Sequence, residues 1–239
     1  MPVLLLCQGD PAAKDLLRKA IEARYGINPP AFEKLQIAFK GRARVDLALV
    51  KTWVPVDATA SFIMPTHLRW DFVVKPLKLP VRRGVEAFDG QTYRSGRGSN
   101  TNEKTHTDML TSARGRLWAV AALLLTPLSE YTIKLSVCGE HCIEAENTKL
   151  QDSVKIHLRE DYTIERVEVN CWNPDKERTQ LHTFQSSQQQ IPVNDLMLPE
   201  KIVAYWDDEI AYEMEPLSVL HSPDFDERVF RLEQDVAMQ

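Results

Sequence analysis

Apolar and polar residues alternate with a period of two along one short segment after another, and no other feature constrains the fold of this chain so strongly. Leu35, Ile37 and Phe39 stand between mostly polar neighbours, and Val45, Leu47 and Leu49 continue the pattern beyond Gly41. Phe62 and Met64 follow, then Leu68, Trp70 and Phe72 against Arg69 and Asp71. Val154, Ile156 and Leu158 mark a further strand face, and Val167 and Val169 another. Near the C-terminus Ile202, Ala204 and Trp206 meet Ile210, Tyr212 and Met214 across the acidic turn Asp207-Asp208-Glu209. Successive side chains of a strand point to opposite faces, so the pattern predicts antiparallel sheet with one face buried and one wet. Asp89-Gly90 and Asn173-Pro174 supply turn signals between the strands. Strands do not alternate with helices, which argues against a parallel βαβ sheet.

Two helices interrupt the strands. Asp10-Pro11 gives an N-cap followed by proline at the first helical position, where its missing N–H costs nothing. Ala13, Leu16, Leu17, Ala20 and Ile21 then recur at helical spacing and Gly26 is a natural stop, predicting a helix over 11–25. A second helix is predicted over 108–125, closed by Pro127, with Leu110, Leu117, Trp118, Ala121, Leu124 and Leu125 apolar. Its second half, Leu117–Leu125, is apolar almost all round and so must be buried on more than one side.

Hydrophobic residues make up 44% and charged residues 26%, ordinary globular usage that excludes wholesale disorder. The net charge of -5, with both signs interspersed, argues against a nucleic-acid binder. The basic groups at Arg82-Arg83 and Arg94–Arg97 lie in turn-like sequence and read as solvated loops. No run approaches the roughly 18 apolar residues needed to span a bilayer. Val3–Cys7 is apolar but shorter than a signal peptide core, so residues 1–9 are expected to be disordered or the stub of an export signal. Residues 10–239 then form one domain, with no internal repeat and one short polar loop at Ser186–Gln190.

Motifs for chemistry are sparse. Arg94-Ser95-Gly96-Arg97-Gly98 leads into no strand–loop–helix unit that would cradle a phosphate, and no nucleophile elbow is present. Cys138-Gly139-Glu140-His141-Cys142, with Cys171 beyond it, admits three readings: buried free thiols, a disulfide pairing Cys142 with Cys138 or Cys171, or a zinc site. The acidic run 207–209 lacks the periodicity of a calcium loop and is explained by a hairpin turn. His67, His106, His141, His157, His182 and His221 are scattered and read as surface or satisfied core residues.

The order of these parts resembles the outer-membrane lipoprotein-sorting family, the LolA-like carriers. The first helix is followed by a Gly-containing strand pair, Leu35–Val50. Pro65-Thr66-His67-Leu68-Arg69-Trp70 is similar to the family's P-x-x-x-R strand, and Phe88-Asp89-Gly90-Gln91-Thr92 to its Asp-Gly turn. The run Leu198–Trp206 is similar to its L-P-x-x-I-x-x-Y strand, and Pro223–Phe230 to its closing segment. Two features stand apart: a complete export signal is not seen, and Cys138–Cys142 has no counterpart.

The resemblance implies a mainly β (α+β) fold, a single curved antiparallel sheet forming an open half-barrel plugged by the N-terminal and mid-chain helices. It also implies a non-catalytic carrier in the periplasm or at the outer membrane, with the cytoplasm left open by the incomplete signal. The expected partners are a lipid or an acylated protein, with contact at a membrane surface, no nucleic acid, no cofactor and no metal. Trp70, Phe72, Trp118, Ala121, Leu124, Trp206, Tyr212 and Met214 are the candidate cavity-lining residues, with Arg69 pointing outward. The rival readings are an envelope scaffold with a filled core and an enzyme with a cavity-lining acid/base pair. An apolar void under the second helix would mark a carrier, a polar void an enzyme, and no void a scaffold.

Overall fold

In the computed structural model, which describes residues 5–47, 50–75, 82–97, 100–103, 107–149, 152–173, 175–194 and 196–232, the alternating segments become strands of one large sheet. Strands β2 (Lys34–Leu47), β3 (Val50–Ile63), β4 (His67–Val74), β5 (Arg82–Phe88), β6 (Tyr93–Arg97) and β7 (Asn100–Glu103) form one wing. The other wing holds β8 (Ile133–Gly139), β9 (Cys142–Asn147), β10 (Asp152–Leu158), β11 (Ile164–Asn173) and β12 (Arg178–Ser186). A late hairpin, β15 (Ile202–Trp206) and β16 (Glu209–His221), joins them: β15 pairs with β12, and β16 with β2. A separate small hairpin, β13 (Gln190–Val193) and β14 (Leu196–Pro199), adds Val193, Leu196 and Leu198 to the core. Among the described residues every pairing of the main sheet is antiparallel except that of β1 (Gln8–Gly9) with β8. β1 and β7 are the two edges, so the curved sheet stays open as a half-barrel.

Helix α1 spans Pro11–Tyr25, with the Asp10 side chain accepting from the Ala12 N–H and Gly26 closing it at φ 69°. Helix α2 spans Thr107–Leu124, one residue ahead of the expected span, and lies in the concavity. Trp118 and Ala121 pack with Leu135, Ile143, Val154 and Val167 of the β8–β12 wing and with Leu17 and Ile21 of α1. Leu117 and Leu124 pack with Leu35, Phe62, Leu68 and Phe88 of the other wing. The helix is therefore buried from two sides, which is why its second half needs apolar residues all round. Gly115 lets it come close: a Cβ there would meet Cys171 Cβ at 3.1 Å and Val169 Cγ2 at 3.3 Å. Mid-helix glycine costs about 1 kcal/mol relative to alanine, a cost offset here by the close approach to β11.

Several expectations need correcting. Gly41 does not separate two strands within Leu35–Val50; it lies inside the continuous β2, and the strand pair is β2 with β3. Leu49 lies outside the described residues, as do Gly98, His106 and Pro174. The arginine groups 82–83 and 94–97 are in β5 and β6, because the pairing of Leu68 with Phe88 and of Phe88 with Tyr93 extends the wing through them. The turn between them is the Asp-Gly turn, where Asp89 Oδ1 accepts from the N–H of Gln91 and Thr92. Within residues 5–9, Cys7 is buried, the Leu6 N–H donates to Ser129 O, and Gln8–Gly9 pairs with Lys134–Leu135, contacts that leave open whether this segment is the stub of an export signal. Arg69 is not a free outward residue. It grips Asp71 through Nε (2.7 Å) and Nη2 (2.8 Å) and donates from Nη1 to Val229 O (2.9 Å), holding the C-terminal segment whose Phe230 is fully buried.

Candidate functional site

Among the described residues, two cavities that border α2 share no wall residue. The larger, about 1040 Å³, meets the first half of the helix through Met109, Ser112 and Arg116. Its remaining walls come from the facing ends of β2 and β3, from Glu86 of β5, from Asn173, Gln180 and His182 of β11 and β12, and from the β15–β16 hairpin, Trp206–Tyr212. Glu86 reaches the concavity because it pairs across β4 with Trp70, on the apolar face of the alternation. There it accepts from Arg116 Nη1 at 2.6 Å, in a pair whose side chains are 23% (Arg116) and 28% (Glu86) exposed. Burial works against the Arg116 charge, but the Glu86 carboxylate more than offsets it and keeps the guanidinium protonated beyond its ordinary range.

His182 is, with Ser112, the most buried polar residue of this wall, at 1% exposure. Its Nε2 lies 3.4 Å from the Tyr212 hydroxyl, its ring stands edge-on to Trp206 at 3.9 Å, and its Nδ1 has no hydrogen-bond partner. Burial, with the Arg116 charge second, pushes its pKa down to about 3, so the imidazole is neutral near pH 7. Burial likewise pushes the neighbouring Cys171 thiol up to about 11 and Tyr93 up to about 12. Other polar groups of the wall are tied together: Asn173 donates to Gln180 Oε1 (2.7 Å), and Gln180 in turn to Asp207.

The smaller cavity, about 830 Å³, meets the other end of α2 at Trp118 and the following turn, Thr126 and Pro127. Its walls combine apolar side chains, Ile21, Ile27, Pro29, Phe32, Met64 and Ile133 beside Trp118, with polar ones such as Glu33, Glu130, Asn147 and Lys149. The Trp118 indole N–H donates to Ala145 O (3.2 Å), so its one polar group is already bonded. Phe32 stacks on His221 at 6.0 Å and meets Tyr25 edge-on at 6.2 Å. Arg24 and Tyr25 at the end of α1 donate to the carbonyls of Leu123 and Leu124, which α2 itself leaves without helical partners. These bonds fix the two helix ends beside the apolar cavity.

The candidate residues divide among three places. Trp206 and Tyr212 line the larger cavity and Trp118 the smaller, while Ala121 and Leu124 are buried in the core on either side of α2. Trp70, Phe72 and Met214 line neither; they cluster with Phe39, Val56 and Ala58, the Phe39 and Trp70 rings 5.9 Å apart. Gly84 makes room for this cluster, since a Cβ there would strike the Phe72 ring at 2.2 Å. The sequence reading missed Glu86, Ser112, Arg116 and His182. The available signal was a polar, basic first half on a helix whose second half is apolar. Cys138 and Cys142 are disulfide-bonded across the β8–β9 turn (Cα–Cα 5.0 Å), whereas Cys7 and Cys171 are buried free thiols. Among the described residues no group of three His, Cys, Asp or Glu side chains is placed to hold a metal, and no helix is long and apolar enough to cross a membrane.

No family model matches the chain, and no curated protein matches it. Solved structures do. The chain is similar to a LolA superfamily protein from Nitrosomonas europaea, with a TM-score of 0.53 and 10% identity over 91% of this chain and 96% of that one. It is similar to a DUF1329 family protein from Desulfovibrio piger, with a TM-score of 0.52 and 9% identity over 93% and 97%. A third likeness is to a domain from Vibrio parahaemolyticus described as an outer membrane lipoprotein-sorting protein, with a TM-score of 0.51 and 10% identity over 91% and 97%. At these identities the shared property is the fold, and the fold is the LolA-like open half-barrel.

Proposed function

We propose that this LolA-like half-barrel is a non-catalytic carrier that encloses an apolar ligand, the acyl chain of a lipid or of an acylated protein, between α2 and the concave sheet. The observation that carries this reading is the cavity at Trp118, where Ile21, Phe32, Met64 and Ile133 form an apolar part of the wall and Ile27 and Tyr131 are exposed at 69% and 59%. Burying roughly 300 Å² of acyl chain there gives about 7 kcal/mol before association costs, at about 25 cal/mol per Å². The polar cavity is the feature that speaks for an enzyme, but its one histidine is tuned away from proton transfer. A general base works best with a pKa near the operating pH, and His182 is held near 3. What supports an envelope location is the lipoprotein-sorting description of one structural neighbour and the Cys138–Cys142 disulfide, a bond that persists in oxidising compartments.

The test is uptake of a fluorescent fatty-acyl probe by the full chain. Phe32→Glu sets a carboxylate in the apolar wall and is expected to weaken uptake at least tenfold while the protein still melts cooperatively. Failure of the unaltered protein to take up the probe, or equal uptake by the variant, would overturn the reading.

A further inference from the structure

We infer that the larger cavity is the subsite for the head of an amphiphilic ligand, and that this head is an uncharged polyhydroxylated group, a glycosyl or glycerol moiety. The inference rests on the carrier reading and extends it to the other half of α2.

Charge balance is the first argument. Arg116 pairs with Glu86 at 2.6 Å, Lys51 with Glu209 at 2.6 Å and Arg178 with Asp207 at 3.7 Å, and the two cations and two carboxylates left in the wall also cancel. With His182 neutral, the cavity offers no net charge to an anionic or a cationic head. A phosphate placed against Arg116 would also face the Glu86 carboxylate, a like-charge contact that disfavours it.

Unfilled hydrogen bonding is the second. Arg116 Nε and His182 Nδ1 are both buried in this wall without a partner. Leaving such an atom unsatisfied costs about 1–3 kcal/mol, so a group that completes it gains that much. Arg116 needs an acceptor. His182 Nδ1 needs a donor or an acceptor according to which nitrogen bears the proton, and the Tyr212 contact allows either. A hydroxyl both donates and accepts, so it can complete either site in either tautomer, which an acceptor-only phosphate cannot do. The Trp206 and Tyr212 rings supply the apolar surface on which the C–H face of a sugar or glycerol unit packs.

The experiment titrates the full chain with three amphiphiles of one chain length, each below its micelle concentration, by calorimetry: dodecyl maltoside, dodecyl phosphate and dodecylphosphocholine. Dodecyl maltoside is expected to bind at least tenfold tighter than either charged head. Tyr212→Phe, which removes one hydroxyl, is expected to reduce that ratio three- to tenfold. The paired change Glu86→Leu with Arg116→Met, which removes both charges together, should bring it below threefold. Equal or tighter binding of dodecyl phosphate or dodecylphosphocholine by the unaltered protein would overturn the head-group inference and leave the carrier standing. A ratio unchanged in Tyr212→Phe would overturn it in the same way. Binding of none of the three would overturn both.

Discussion

The two cavities beside α2 are built from one helix and one curved sheet, yet α2 presents different chemistry to each. At the Met109–Arg116 end the wall holds an Arg–Glu pair, a buried neutral histidine and a network of amides and carboxylates. At the Trp118 end isoleucine, proline, phenylalanine and methionine stand beside the helix with polar loop residues such as Glu33 and Glu130, and the tryptophan's side-chain donor is already bonded to Ala145. The difference begins in the sequence of the helix, where the register that buries Leu117, Trp118, Ala121 and Leu124 also carries Ser112 and Arg116 into the concavity. Buried polar groups are tolerated only where they find partners, so the polar half of α2 needs Glu86 opposite it while the apolar half needs only shape. The polar region should therefore respond to the loss of single groups far more steeply than the apolar one.

The largest effect is expected from Arg116→Met alone. It leaves the Glu86 carboxylate under the helix without its partner, and removing one member of a buried pair typically costs about 3–5 kcal/mol. With each side chain about a quarter exposed, a loss toward the lower end is expected, read from urea unfolding. Adding Glu86→Leu should restore most of it. If the single and double changes cost the same, the pair is not what holds this end of α2.

Acid gives the next contrast. The His182 pKa lies near 3 in the folded protein, against about 6.5 when unfolded. Between these values the unfolded chain binds the proton and the folded chain does not, so stability falls as the pH drops through that window. The expected loss from this residue is about 2 kcal/mol between pH 7 and pH 5. His182→Phe should flatten that part of the unfolding profile, whereas a variant of the apolar cavity should leave its slope unchanged.

How far each region was legible follows from the range of the interactions that define it. Helix α1 could be bounded to the residue because its signals are local: the Asp10 cap, Pro11, and Gly26 at the stop. The β15–β16 hairpin and the apolar second half of α2 were equally readable, since periodicity and a turn are contained in one stretch. The polar site was not. Glu86 lies in a strand that arginines disguise as a loop, and it points inward only because β5 pairs with β4 in the register that sets it beside Trp70. His182 looked like any other histidine, because its burial depends on Trp206 and Tyr212 arriving from β15 and β16. The alternation correctly set Trp70 and Phe72 on the apolar face, but a strand's period gives the face and not the place along it, and these residues form their own cluster with Met214.

The smallest expected effect separates location from chemistry at the apolar end. Ile27 and Leu217 are both large exposed hydrophobics, at 69% and 54%, but only Ile27 lines the cavity; Leu217 is extruded by a bulge in β16 between Pro216 and Ser218. Exposed substitutions of this kind usually change stability by less than about 0.5 kcal/mol, so Ile27→Ser and Leu217→Ser should melt alike. Their effects on acyl-probe uptake should differ. A ligand seated in the cavity covers roughly 40 Å² of the Ile27 side chain, worth about 1 kcal/mol, so Ile27→Ser should weaken uptake roughly fivefold. Leu217→Ser removes a similar apolar group from a site that no ligand in this cavity reaches, and uptake should stay within twofold of the unaltered protein. If both variants lose uptake equally, the probe is binding to exposed apolar surface at large, and the contrast between the two ends of α2 tells nothing about where a chain is held.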